Sequence, residues 1–270
     1  MRLACVGDNV VDRYPDLGLM FPGGNAVNVA VFAHRCGVET AYVGVLGDDA
    51  AGELLLDAQR EEGVDVSRVM VAHGPNGWTD IRLVEGNRVF EAWDDGASRF
   101  DLTEEDLAWL ASFDAVHTGD NGFVEHRVPE IARRTLVSFD FSREREPSYV
   151  EPLLKHLFLA TFSAGDLAAP ETEKLLSQAC SKGARFALAT RGRLGSALSD
   201  GRRVWHQPAP PVPALVDTLG AGDAFIARTL AGLLDDEDPQ KTLTEAAALA
   251  AGVCGHHGAF GHPRPCEARE

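Results

Sequence analysis

Short apolar runs alternate with amphipathic stretches along most of the chain. Leu3-Ala4-Cys5-Val6 is apolar throughout and reads as a buried strand. Asn25 to Arg35 reads as a helix, entered through Gly23-Gly24 and stopped by Gly37. Glu39 to Val45 alternates like a strand, and Asp49 to Glu62 is helical up to Gly63. Leu102-Thr103-Glu104-Glu105-Asp106 carries a capping box that opens a helix to about Ser112. Ala115 to Thr118 and Leu136 to Phe141 read as short strands with a helix between them. Pro170 starts a further helix that Gly183 closes, Phe186 to Thr190 is another core strand, and Ala224 to Leu234 is a helix. Repeated strand-then-helix order implies a mainly parallel sheet covered on both faces.

One stretch breaks this rhythm. Trp78 to Val84 and Arg88 to Trp93 are two β-runs joined by Glu85-Gly86-Asn87, a hairpin signal. A hairpin inside such a chain rarely joins the central sheet. It reads instead as a small β lid over a site, together with a strand near Val10 to Tyr14, so that the lid spans about 9–22 and 76–97 of a single domain covering 1–270. A second hairpin, Ala197 to His206 around Asp200-Gly201, suits an edge of the main sheet. Pro208 to Pro213 is a stiff connector, and no internal repeat is visible.

The formal charge of -16, from 41 acidic and 25 basic residues, argues against a nucleic-acid partner, which would need a basic face. It leaves room for a phosphate-bearing ligand, since one local electropositive pocket suffices. Hydrophobic residues make up 45% of the 270, enough for a sizeable core. Cysteines at 5, 36, 180, 254 and 266 match no zinc template and suit reduced thiols. With no secretory signal pattern and no apolar run long enough to span a bilayer, no membrane association is expected and the expected location is the cytoplasm.

The densest chemistry is Asp217-Thr218-Leu219-Gly220-Ala221-Gly222-Asp223-Ala224-Phe225. Small residues at a helix entrance let the N–H groups of Ala221, Gly222 and Asp223 converge on an anion. Such a nest stabilises charge that grows on a transferring phosphoryl group. A carboxylate there repels phosphate unless it does chemistry, so Asp223 suits a general base toward an attacking hydroxyl, kept ionised by the helix dipole. In Gly23-Gly24-Asn25-Ala26-Val27-Asn28, the glycines allow close backbone approach. Asn25 and Asn28 lie one turn apart, and their amides match sugar hydroxyls. Gly7-Asp8-Asn9-Val10-Val11-Asp12 follows the first strand, where ligands bind in such sheets, and Asp12 can accept from two vicinal hydroxyls. Thr190-Arg191-Gly192-Arg193-Leu194-Gly195 follows another strand and suits either a nucleotide loop or a plain turn. His256 and His257 make a poor metal pair.

With these residues in place, the sequence resembles the ribokinase-like, or PfkB, carbohydrate kinases over essentially its whole length. Gly23 to Ala30 is similar to the family's N-terminal signature and Asp217 to Phe225 to its C-terminal one. Within the family it looks most like the fructoselysine 6-kinase group, through Gly7-Asp8-Asn9 with Asp12 and Tyr14-Pro15, Arg88-Val89-Phe90, Phe139-Asp140-Phe141-Ser142 and His257-Gly258-Ala259. The resemblance implies a three-layer α/β/α sandwich with a β-sheet lid, and Asp223 as catalytic base with Gly220, Ala221 and Gly222 forming the anion hole. It implies that Asp8, Asn9, Asp12, Gly23, Gly24, Asn25 and Asn28 face the sugar. Ser163, Thr190, Gly192, Gly195, Gly222 and Cys254 would line the ATP site. Asp217, Thr218 and Gly258 would hold a monovalent cation, commonly potassium. Many relatives carry Asn-x-x-Glu near Mg²⁺. The matching stretch here is Ser163-Ala164-Gly165-Asp166, which keeps a shorter carboxylate, acting on Mg²⁺ indirectly, and loses the amide.

The expected activity is transfer of the ATP γ-phosphate to the 6-hydroxyl of fructoselysine or a related fructosamine. Two alternatives stand beside it: a kinase for another sugar, keto-acid sugar or nucleoside, and a sugar- or nucleotide-binding regulator without catalysis. A homodimer formed through the lid is expected, because an isolated small sheet leaves an apolar face to cover.

Overall fold

The computed structural model describes residues 1–84 and 87–266. Fifteen strands and eight α-helices occur among these. In chain order they are β1 (Arg2–Val6), β2 (Val10–Tyr14), β3 (Leu19–Gly23), α1 (Asn25–Arg35), β4 (Glu39–Val43), β5 (Val45–Gly47), α2 (Ala50–Glu61), β6 (Met70–Ala72), β7 (Trp78–Val84), β8 (Asn87–Asp94), α3 (Glu104–Leu110), β9 (Ala115–Gly119), α4 (Val128–Ile131), β10 (Leu136–Asp140), α5 (Pro147–Leu154), β11 (Leu159–Ser163), α6 (Ala169–Ser181), β12 (Phe186–Thr190), β13 (Ser196–Ser199), β14 (Val204–Gln207), α7 (Ala221–Leu234), α8 (Pro239–Val253) and β15 (Arg264–Pro265).

The main sheet runs β14-β13-β12-β11-β10-β9-β1-β4. It is parallel from β4 to β12, and the β13–β14 hairpin adds two antiparallel edge strands. Uniform apolarity in β1 follows from this position. Leu3 and Cys5 point into the core shared with α1, α2, α7 and α8, while Ala4 and Val6 point into the core shared with α3 to α6. Each fully buried Leu or Phe in these layers contributes roughly 1.5–3 kcal/mol of apolar transfer. Phe139, Phe141 and Phe162 form one aromatic stack in the second core, with ring centroids 4.6 and 5.0 Å apart. The result is the expected sandwich.

A separate sheet runs β15-β3-β2-β7-β8. Its buried residues Tyr14, Phe21 and Ile81 pack on Leu219, so the sheet rests on the loop that leads into α7. The Glu85-Gly86 turn read from the sequence lies outside the described residues.

Several details differ from the sequence reading, which also gives no element at β6, β11 or α8. The strand read over Glu39 to Val45 ends at Val43, and only glycine fits at position 44, where a Cβ would lie 2.1 Å from the Tyr42 hydroxyl. The chain bends there, and β5 pairs with β6 in a third, two-stranded sheet. The segment between β9 and β10 holds only a 3₁₀ turn at Glu125–Arg127 and the single-turn α4, not a full helix. Helix α5, with Pro147 in its first turn and Pro152 inside, and strand β15 have no counterpart in the apolar periodicity.

Candidate active site

Helix α7 begins at Gly220, whose φ of 74° places it in the left-handed region. Its missing Cβ matters, since one would lie 2.5 Å from that of Ala259. Side chains of Asp49, Thr103 and Asp238 cap α2, α3 and α8, but none caps α7. The N–H groups of Gly222 and Asp223 therefore remain for another acceptor, while that of Ala221 donates to the Thr218 carbonyl at 3.4 Å. A Cβ added to Gly222 would meet open space, so the nest at Ala221, Gly222 and Asp223 faces a clearing.

Asp223 closes one side of that clearing. Its carboxylate accepts from Nδ2 of Asn25 at 2.9 Å and from Nδ2 of Asn28 at 2.7 Å. The two amides lie one turn apart on α1, and their convergence on one carboxylate is what the spacing predicts. Burial pushes Asp223 up to about 6, against the two amide bonds that lower it. The sequence reading has the helix dipole keep this group ionised; burial works against that, and about 6 still leaves it mostly ionised at neutral pH.

The corner that brings α1 here depends on glycines. Gly24 has φ of 103°, and a Cβ there would sit 2.7 Å from the Asn9 Cα. A Cβ on Gly23 would overlap the Asp12 carboxylate at 1.9 Å. Asp12 thus lies across Gly23 at the mouth of the cluster, almost fully buried. Burial raises its pKa well above the usual carboxylate range, while Arg88 works in the opposite direction. Asn28 is also buried, and its Oδ1 has no protein partner, leaving an acceptor beside Asp223.

Asp8 and Asn9 serve the scaffold. The Asp8 carboxylate accepts from the N–H groups of Asn25 and Ala26 at 2.8 and 3.1 Å, and so caps α1. Asn9 is fully buried, with its amide donating to the Tyr42 hydroxyl and the Val45 carbonyl. Asn9 is turned into the scaffold, whereas the Asp8 carboxylate is near enough to Asp12 and Asp223 to raise both.

Four groups that motif reading assigned no role complete this end of the site. Asp140, at the end of β10, accepts from Nδ2 of Asn25 at 3.1 Å and is pushed up to about 7 by burial. Asp120 follows β9, accepts from Ser142 Oγ at 3.2 Å and is likewise raised to about 6. His117, in β9, meets Asn25 Oδ1 at 3.0 Å. Arg88, on β8, reaches from the small sheet and donates through Nη1 to the Thr218 carbonyl at 2.7 Å.

Asp217 is fully buried beneath the nest. It accepts from the N–H groups of Leu219 and Gly258 at 2.9 and 3.1 Å and from the Tyr14 hydroxyl at 2.5 Å. Gly258 is held tightly, because a Cβ there would lie 2.4 Å from the Phe21 ring. The Cys254 carbonyl accepts from the N–H of Val216 at 2.9 Å and of Asp217 at 3.3 Å, which ties the end of α8 to this loop.

The segments expected to border the nucleotide present main chain and guanidinium groups. Ser163 and Thr190 are paired neighbours at the ends of β11 and β12. Gly192 and Gly195 follow in a tight turn in which the Arg191 N–H donates to the Gly195 carbonyl at 2.8 Å. Space around Gly192 is open. Asp166 is gripped by Arg145 through two contacts of 2.8 Å, which hold its carboxyl at about 2, and Arg145 also bonds the Ser163 carbonyl. Arg191 donates to the Leu167 carbonyl at 2.9 Å.

Residues 10–263 match the family model described as pfkB family carbohydrate kinase. The chain is 40% identical to fructosamine kinase FrlD of Bacillus subtilis, across 98% of its own length and 95% of the relative's. It is 38% identical to fructoselysine 6-kinase of Escherichia coli, across 96% and 99%. Among solved structures, ribokinase of Arabidopsis thaliana complexed with ribose and ATP superposes with a TM-score of 0.81 at 20% identity, covering 96% of this chain and 94% of that one. At that identity the likeness concerns the fold.

Proposed function

The chain belongs to the pfkB family of carbohydrate kinases, and from that premise we propose that it transfers the γ-phosphate of ATP to the 6-hydroxyl of fructoselysine or a related fructosamine. The observation that carries this reading is the meeting of the Asp223 carboxylate, two amides from α1 and an uncapped helix entrance in one clearing. Asp223 takes the proton of the acceptor hydroxyl as that oxygen bonds to the γ-phosphorus, and the bond to the β–γ bridging oxygen breaks to release ADP. The N–H groups of Gly222 and Asp223 stabilise the charge on the transferring group. Asp12, Gly24 and Asn28 hold sugar hydroxyls, with the spare Asn28 Oδ1 as one acceptor. Ser163, Thr190, Gly192 and Gly195 border the nucleotide, and Cys254 lies toward its base.

The residues present fit a monovalent cation such as potassium. The buried Asp217 carboxylate has about one lone-pair direction beyond its three donors, and Thr218 and Gly258 lie beside it. Such an ion would add positive charge under the nest. Asp166 fits Mg²⁺ less well, since both its oxygens are spent on Arg145. It can act on a Mg²⁺ carried by ATP only through water, which that ion retains readily.

The sheet of β2, β3, β7 and β8 suits a lid over this clearing, and Val84, Phe90 and Trp93 are exposed on it. We assign these to a homodimer contact, to be checked by light scattering at micromolar concentration, where a purely monomeric mass would count against it. No helix among the described residues is long and apolar enough to cross a membrane. Cys5, Cys36, Cys180 and Cys254 are free thiols, which suits the cytoplasm.

The test is an acceptor panel with ATP: fructoselysine, other fructosamines, fructose, ribose, a keto-acid sugar and nucleosides. The reading expects the fructosamines to give the highest kcat/KM. A clear preference for any other class would reject the acceptor while leaving the kinase assignment in place.

A further inference from the structure

A chain of hydrogen bonds reaches Asp223 from inside the main sheet. Ser138 Oγ on β10 lies 3.0 Å from Nδ1 of His117 on β9, and Nε2 of His117 lies 3.0 Å from Asn25 Oδ1. The same amide presents Nδ2 to Asp140 at 3.1 Å and to Asp223 at 2.9 Å. Ser138 and His117 are fully buried, and the acceptor that His117 contacts belongs to an asparagine that touches the base.

The donor and acceptor roles are those of the state in which Asp223 can act as a base. With Asp140 and Asp223 ionised, both only accept, so both hydrogens of the Asn25 amide point at them. Asn25 Oδ1 then faces His117 and can only accept, which requires the proton on Nε2. Burial depresses His117 to about 3, so the ring is neutral and Nδ1 has a lone pair. That lone pair accepts from the Ser138 hydroxyl.

An asparagine between two carboxylates has two orientations a half-turn apart. One stabilises the carboxylates; the other sets an oxygen against them. The two carboxylates favour the donating orientation, and the Nε2–H of His117 adds to that preference, because it is lost as a partner if the amide turns over. We propose that His117, backed by Ser138, is a positioning residue that holds the Asn25 amide in the donating orientation and thereby sets the pH at which Asp223 can take the acceptor's proton. The inference rests on the reading of Asp223 as the base. The charged groups that act on Asp223 are Arg88 from β8, Asp8 after β1, Asp12 from β2 and Asp140 from β10. None of these bonds to His117; among their contacts, only the Asn25–Asp140 bond is lost together with the Asn25–Asp223 bond when the amide turns over.

The experiment is the pH dependence of kcat/KM for fructoselysine from about pH 5 to 8.5. It compares wild type, His117→Leu, His117→Gln and Ser138→Ala, with ¹⁵N spectra of the histidine rings. The titration of ATP and of the sugar is common to all four proteins and drops out of the comparison. Removal of a donor that supports an anion should move the acid limb of His117→Leu upward by about one pH unit. His117→Gln, which restores an N–H near the Nε2 position, should return the limb at least halfway to wild type. Ser138→Ala should shift it in the same direction as His117→Leu but less, because the tautomer loses its anchor. If His117→Leu does not fold, Ser138→Ala and the wild-type spectra decide. An acid limb that stays at the wild-type position in His117→Leu or Ser138→Ala, or a resonance showing the proton on Nδ1 of His117, overturns the proposal. Asp223→Asn is assayed alongside: full activity there would remove the base assignment itself, whereas its loss with an unmoved limb would remove only the role of His117.

Discussion

The two ends of the proposed site are built from opposite materials. At the sugar end, carboxylates and amides from four segments are buried and cross-linked: Asp12 lies over Gly23, and Asn25 ties Asp223 to Asp140. At the nucleotide end, main chain and guanidinium groups prevail, with Ser163 and Thr190 on adjacent strands and Arg145 and Arg191 among them. The contrast sorts the two substrates by charge. On the proposed reading, the acidic end suits a neutral or aminated sugar and disfavours the bulk of a triphosphate, of which only the γ-phosphate reaches the nest. It also separates what must be rigid from what need only be open. A base has to be aimed to within tenths of an ångström, and its neighbours are held by mutual hydrogen bonds. Gly192 and Gly222, by contrast, face open space.

Substitutions at each end can break or sharpen this division. The largest effect is expected for Asp223→Asn, which should lower kcat by about 10³-fold and leave the calorimetric affinity for the sugar largely intact, since a general base acts in the transition state. Gly222→Ala comes next. Its methyl meets nothing in the protein and replaces a poor helix former, so the melting temperature should hold or rise while kcat falls by about 10²-fold. A variant that loses stability and activity together would show the glycine to be structural. Asp12→Ala should raise KM for the sugar by about tenfold with KM for ATP unchanged, the cost of about one hydrogen bond. Comparable changes in both constants would dissolve the division between the ends. The smallest effect belongs to Asp166→Ala, whose carboxylate is occupied by Arg145. The Mg²⁺ concentration for half-maximal rate should move by no more than about threefold, and a larger shift would make Asp166 a closer partner of the metal than its geometry indicates.

The sequence conveys the two ends unequally. Asp223 and its glycines are legible because anion nest and base lie within four residues of one helix entrance. The Asn25–Asn28 spacing is legible because one helical turn brings both amides to the same face. Asp8 and Asn9 read as sugar contacts from their place after β1. Only the folded corner reveals that Asp8 caps α1 and Asn9 bonds Tyr42 and Val45. His117 and Ser138 carry no local signature, since their partnership crosses from β9 to β10 and onto α1. Arg88 sits in a segment noted for its resemblance, yet its contact with Thr218 spans 130 positions of chain. Helix α5 escapes the periodic pattern because Pro152 interrupts it, and β15 because two residues leave no period to read.

The central claim is that residue 223 receives the proton of the acceptor hydroxyl beside the nest. The most direct measurement is a crystal structure of the wild-type chain with fructoselysine and a non-hydrolysable ATP analogue. The account predicts the sugar's 6-oxygen about 2.6–3.2 Å from an Asp223 carboxylate oxygen, with the γ-phosphate against the N–H groups of Gly222 and Asp223. A 6-oxygen held by another group, with Asp223 turned away from both ligands, would contradict it.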